Sequence, residues 1–154
     1  MKIKSLISIA ILCILSGVAV YANADEGLIS KKSNYSVKET LDRLAAALEK
    51  KGIKVVARIN HGANAKKVDM NLRATELLIF GNPKLGTPLL NSNQTVGIDL
   101  PMKALAWEDE KGQVWLTYND PAYITSRHGI SDKDEVKNKM AGALDKLTSA
   151  ATGN

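Results

Sequence analysis

The sequence predicts one α+β domain: a mixed sheet that contains a β-hairpin, with helices packed mainly on one face. Three observations lead there. Strand-like β-branched runs alternate with runs whose apolar residues recur at helical spacing, in the order β-α-β-α-β, then a hairpin, then α-α. Asp109-Glu110-Lys111-Gly112 separates two strand-like runs, the arrangement of a hairpin turn. Hydrophobic residues at 45% and charged residues at 24% are globular values, and 154 residues hold one core rather than two.

The elements follow in order. Gly27 to Asn34 reads as a first strand. Ser36-Val37-Lys38-Glu39 is a capping box, after which Val37, Leu41, Leu44, Ala45 and Leu48 fall on one helical face. Gly52 stops that helix, and the β-branched run from Ile53 to Ile59 predicts a strand. Asn60-His61-Gly62 reads as a turn and Ala63 to Leu72 as a short helix. Thr75 to Phe80 is a largely apolar run, which suits a central strand. Gly81 to Pro88 reads as a glycine- and proline-rich loop, with Thr87 as the cap and Pro88 as the first residue of one further turn from Leu89 to Asn93. Met102 to Glu108 and Gln113 to Asn119 form the hairpin. Asp120-Pro121 starts a short helix that ends at Gly129. Asp132 or Asp134 caps the last helix, where Val136, Met140, Ala143, Leu144 and Leu147 share a face, and the tail Thr152-Gly153-Asn154 frays.

The N-terminus has its own signature. Lys2 and Lys4 precede an apolar stretch, Leu6 to Val20, and Ala22-Asn23-Ala24 supplies small residues at the outer positions of a cleavage site. Residues 1–24 are therefore expected to be a signal peptide and 25–154 the working domain, periplasmic or secreted, with no stable membrane anchor after cleavage. Cleavage removes Cys13, the one cysteine, and with it any disulfide or thiol chemistry. It also removes two lysines, which lowers the formal net charge from +5 to +3. The remaining lysine pairs are scattered without interleaved aromatics, so nucleic acid is not an expected partner.

Candidate chemistry gathers at a few places. Gly81 and Gly86 have the spacing of a phosphate loop, and their backbone freedom would let N–H groups converge on an anion. Thr87-Pro88 stands where such a loop requires Lys-Ser/Thr, so nucleotide binding is not expected. The expectation is instead a small-molecule or anion pocket, with Lys84 supplying charge and Tyr118, Asp120 and Tyr123 at its mouth. His61 and His128 have no metal-ligand spacing, and no metal or other cofactor is expected. Either histidine could serve as general acid or base in a hydrolase or redox accessory enzyme. Ser126, His61 and Asp99 supply residue types for a triad, but no nucleophile elbow is present. Trp107 and Trp115, one on each hairpin strand, suit cross-strand packing.

Several of these stretches together carry a resemblance. They are Lys51-Gly52, Arg58-Ile59-Asn60-His61, the run Phe80 to Pro88, Asp99-Leu100-Pro101, Tyr118-Asn119-Asp120-Pro121 and Arg127-His128-Gly129. From Ser36 through His128 the chain resembles the bacterial domain of unknown function 302. The resemblance implies a compact α+β domain, bacterial origin and self-association into a dimer, and it implies no assigned activity. The positions His61, Asn82, Lys84, Thr87, Asp99, Tyr118, Asp120 and His128 match its motifs and form one candidate ligand pocket. The leading expectation is an exported, non-enzymatic binding domain. The rivals are the histidine-based enzyme and a dimeric structural or assembly protein.

Overall fold

The computed structural model describes residues 27–154, and the expected signal segment, 1–24, lies outside them. Five strands form one open sheet: β1 (Leu28–Ser33), β2 (Lys54–Asn60), β3 (Thr75–Gly81), β4 (Met102–Glu108) and β5 (Val114–Asn119), in the spatial order β1-β5-β4-β3-β2. Every ladder is antiparallel, so the expected mixed sheet is antiparallel throughout. The Thr75 run is an inner strand, as expected, while β4 takes the centre. The helices are α1 (Val37–Lys50), α2 (His61–Lys66), α3 (Pro83–Ser92), α4 (Pro121–Arg127) and α5 (Asp134–Thr152), with a 3₁₀ turn at Gln94–Ile98.

Helix α1 begins where its capping box lies: Ser36 Oγ accepts from the Glu39 N–H at 3.3 Å. Its stripe of Leu41, Leu44 and Leu48 is fully buried. Burial of each such side chain contributes about 1.5–3 kcal/mol. The stripe packs on β2 to β5 and on α5, and Met140, Leu144 and Leu147 of α5 close the same core. The sheet meets them with alternate residues: Leu78 and Phe80 of β3, Ala104 and Ala106 of β4, Leu116 and Tyr118 of β5.

One ion network crosses this layer. The Arg58 guanidinium donates to Asp42 of α1 at 2.5 Å and to Glu76 of β3 at 2.5 Å, and Asn60 donates to the other Glu76 oxygen. Glu76 is buried, so these donors are what let a carboxylate sit there. On the sheet's other face Trp107 and Trp115 pair across the hairpin and stack at 6.4 Å between ring centroids.

Four local expectations are corrected. Asn60-His61-Gly62 is not a free turn: Asn60 caps α2, which starts at His61 and ends at Lys66. The Gly81–Pro88 loop is mostly helix. Asn82 is the cap, with its Oδ1 accepting from the Lys84 N–H at 3.0 Å, and Pro83 takes the first turn. Pro88 and Gly86 in its interior lower its helical propensity, but Leu85, Leu89 and Leu90 pack on the core and override that preference. Pro88, expected to start a helix, sits inside this one. Neither Asp132 nor Asp134 caps α5, whose first flanking residue is Lys133; Asp132 accepts from Ser92 Oγ instead. The tail does not fray. Thr152 is fully buried, its carbonyl accepts from the Asn34 N–H at 3.0 Å, and Asn154 Nδ2 donates to the Lys32 carbonyl at 2.9 Å. Gly153 provides the left-handed residue, φ 79°, that turns the chain back.

Candidate functional site

A cleft of about 420 Å3 opens between α3, the middle of α5 and the ends of β2 and β3. Its geometry comes from two neighbouring features. Gly81 ends β3 without a side chain, and a Cβ there would stand 3.2 Å from the Cβ of Pro101. The glycine thus lets the Leu100-Pro101 segment, whose peptide is cis, lie against the strand end. Gly86, in the middle of α3, leaves space beside Leu100.

The walls are apolar. Phe80, Leu85, Leu90 and Met102 form one side, and Met140, Ala143, Leu144 and Leu147 the other. Lys54, Asn82 and Thr87 are the lining residues with polar side chains. A few polar groups on a mainly apolar wall is the usual make-up of a small-molecule site, and the volume falls in the range of about 300–1,000 Å3 found for such sites.

The eight sequence-derived candidates do not gather there as one group. Asn82 and Thr87 line the cleft; Lys84 is exposed on α3 outside the lining. Tyr118 is buried in the core, not at a mouth, and burial pushes its hydroxyl above the ordinary tyrosine value. Asp120 caps α4, with Oδ1 accepting from the Ala122 N–H at 2.8 Å, and His61 opens α2. Tyr123 is exposed on α4, where the Gly27 backbone lies against its ring.

Asp99 and His128 do meet. His128 Nε2 lies 2.7 Å from Asp99 Oδ2, Nδ1 lies 2.8 Å from Thr95 Oγ1, and Arg127 reaches the other Asp99 oxygen at 3.3 Å. This cluster is a brace between the 3₁₀ turn and the end of α4. Asn93 completes it by donating to the His128 carbonyl at 2.8 Å. That bond, together with the Thr95 N–H donating to Asn93 Oδ1, orients the Asn93 amide. The Thr95 hydroxyl lies within hydrogen-bonding distance of both Asn93 Oδ1, at 2.9 Å, and His128 Nδ1, so it links the two side chains. Ser126 is on the exposed side of α4, and no contact joins it to His61. Among the described residues no group of three histidine, cysteine or carboxylate side chains is placed to hold a metal ion.

The cleft-forming residues of α5 were legible as a helical face but gave no sign of lining a cavity. Met140, Ala143, Leu144 and Leu147 read in sequence as ordinary core, because a cavity wall and a core contact demand the same apolar side chains.

An open antiparallel sheet with α1 and α5 on one face and an apolar cleft at the strand ends defines the class: a small α+β domain with a cleft beside its sheet. The chain belongs to the family described as domain of unknown function DUF302, whose model matches residues 29–147. The crystal structure of an uncharacterized conserved DUF302 protein from Bacillus stearothermophilus superposes with a TM-score of 0.73 at 17% identity, covering 81% of this chain and 98% of that one. At that identity the likeness is one of fold. Two named relatives are "Fluoride-specific ion channel FluC 1" of Brucella suis biovar 1 (strain 1330) and of Brucella abortus biovar 1 (strain 9-941). Each is 45% identical over 131 residues, or 84% of this chain, against 52% and 48% of their own lengths. The chain therefore spans about half the length of these curated relatives.

Proposed function

We propose that this domain is a non-enzymatic binding protein for a small, mainly apolar molecule held in the cleft beside α3 and α5. The observation that carries this reading is the cleft itself: about 420 Å3 of space walled by leucine, methionine and phenylalanine side chains. An empty apolar cavity forfeits the packing contacts of its lining, so a fold gains by filling it. Of the small molecule or anion first expected at the glycine loop, this reading keeps the small molecule, because the N–H groups of that segment are spent inside α3. Export to the periplasm or cell exterior, from the N-terminal pattern, accompanies the proposal.

The relatives' name does not supply a chemistry for this cleft. A small, strongly hydrated anion gains nothing from apolar walls. Among the described residues no helix is long and apolar enough to cross a membrane. Native mass spectrometry of the protein from its own source, with melting curves across a metabolite panel, tests the reading. A retained molecule that Leu144→Trp displaces supports it; no retained mass and no melting shift from any apolar compound rejects it.

A second reading has its own observation. The sheet face opposite α1 carries Ile59, Leu77, Ile79, Leu105 and the tryptophan pair, all half-buried. Two such faces packed together would make a homodimer and a structural or assembly role. Sedimentation at several concentrations tests it. A strict monomer, or a dimer unaffected by Leu105→Lys, rejects it.

A further inference from the structure

Ile53, Ala143 and Leu147 form one border of the cleft. The same three residues line a second, open groove of about 1010 Å3 between α1 and α5. Its floor is made of small apolar side chains. Its rim carries Arg43, Lys50, Lys51, Lys139 and Lys146, and no carboxylate lines it. Arg43 is already engaged: it donates to the carbonyls of Ala150 and Ala151 and stands 4.0 Å above the Tyr35 ring. Among the described residues none of the four lysines forms an ion pair.

Structural needs account for part of this charge. Lys50 and Lys51 end α1, where the dipole favours cations. No such reason applies to Lys139 and Lys146 in the body of α5. Gly142 lies between them on the same groove, and a Cβ there would meet nothing within 4 Å. Alanine would serve that helix better, so packing does not demand the glycine; its missing side chain leaves the groove open.

We propose that the ligand is an anionic amphiphile with a single acyl chain, carboxylate- or phosphate-headed. The chain enters the apolar cleft past Ile53, Ala143 and Leu147. The head rests among Lys50, Lys51, Lys139 and Lys146. This inference rests on the reading of the cleft as a small-molecule site and adds the chemical class of what fills it.

The test is displacement of fluorescent cis-parinarate from protein expressed from the full sequence. Dodecanoate, dodecyl phosphate, neutral dodecanol and phosphatidylglycerol vesicles are the competitors. Both soluble anions should compete better than dodecanol. Across ten to sixteen carbons the acids should tighten by about four-fold per methylene, the ratio that ~0.8 kcal/mol per buried CH2 converts to. The double variant Lys139→Glu/Lys146→Glu changes exposed positions only. It should weaken the anions at least ten-fold, leave dodecanol unchanged and melt like the parent.

Equal competition by dodecanol, with no effect of charge reversal, overturns the amphiphile and leaves the apolar cleft standing. Vesicles competing while soluble anions do not means a membrane surface is recognised, and also overturns it. No competition by any compound overturns both readings.

Discussion

Gly86→Ala separates the two accounts of the segment from Gly81 to Pro88. Read as an anion-binding loop, the segment needs glycine for its backbone freedom, and alanine would cost stability. In the structure Gly86 is in the middle of α3 and is not among the positive-φ glycines. Its added Cβ would stand 3.7 Å from Leu100 Cδ1, an ordinary van der Waals contact. Alanine in a helix interior is favoured over glycine by about 0.5–1 kcal/mol. For a domain of this size that corresponds to a rise in Tm of roughly 1–4 °C. The same methyl projects toward the cleft and excludes about one methylene of ligand, worth about 0.8 kcal/mol or a four-fold loss in affinity. Calorimetric melting and probe displacement on one preparation read both effects. A fall in Tm refutes the helical account of this segment, and unchanged affinity refutes the ligand's approach to α3. Gly81→Ala is the control with the opposite sign: its Cβ would stand 3.2 Å from the Pro101 ring, and overpacking of that kind costs about 1–3 kcal/mol.

Three further outcomes are expected. Arg58→Met should destabilise the fold by about 2–4 kcal/mol in urea titration, because Glu76 keeps a buried carboxylate that has lost its cation. Adding Glu76→Met should restore much of that loss, and strict additivity of the two changes would contradict the network. The Lys38 and Arg58 hydrogen bonds hold the Asp42 carboxyl below its usual value of 3.8. The sign follows: the folded form binds this proton less readily than the unfolded chain, so Asp42 stabilises above the unfolded pKa, and the contribution is lost as pH falls through the folded value. Urea midpoints between neutral pH and about pH 2 should therefore fall less steeply for Asp42→Asn than for the parent. Deleting Gly153 and Asn154 removes bonds to Ser149 and Lys32 and the acceptor of Asn34 Nδ2, and should cost about 1–3 kcal/mol; an unchanged melt would mean a frayed end after all.

Much of the fold was legible because local signals and burial agreed. The Ser36 helix cap, the leucine stripe of α1, the hairpin at Asp109–Gly112 and the Asp120-Pro121 helix start all hold in the structure. The segment around α3 was misread because its composition and its packing disagree: proline and glycine signal a loop, while three leucines find the core. The candidate site was legible only in part. Of the candidates, Asn82 and Thr87 line the cleft, and Asp99 meets His128 in the brace. Tyr118, Asp120 and His61 were not brought to them, since polar motifs mark helix caps and hydrogen-bonded braces as often as ligand contacts.

The sequence by itself determined most of the element types, the single core and the family, all of which rest on spacing along one chain. It also determined which side chains carry charge. Only the tertiary structure decided the strand order, the antiparallel pairing of β1 with β5, and the meeting of α5 with α3 at the cleft. It alone set Lys139 and Lys146 of α5 opposite Lys50 and Lys51 of α1. The physical reason is distance. Periodicity and capping act within a few residues, whereas a cavity is space left where segments tens of residues apart pack incompletely, and no single segment encodes it.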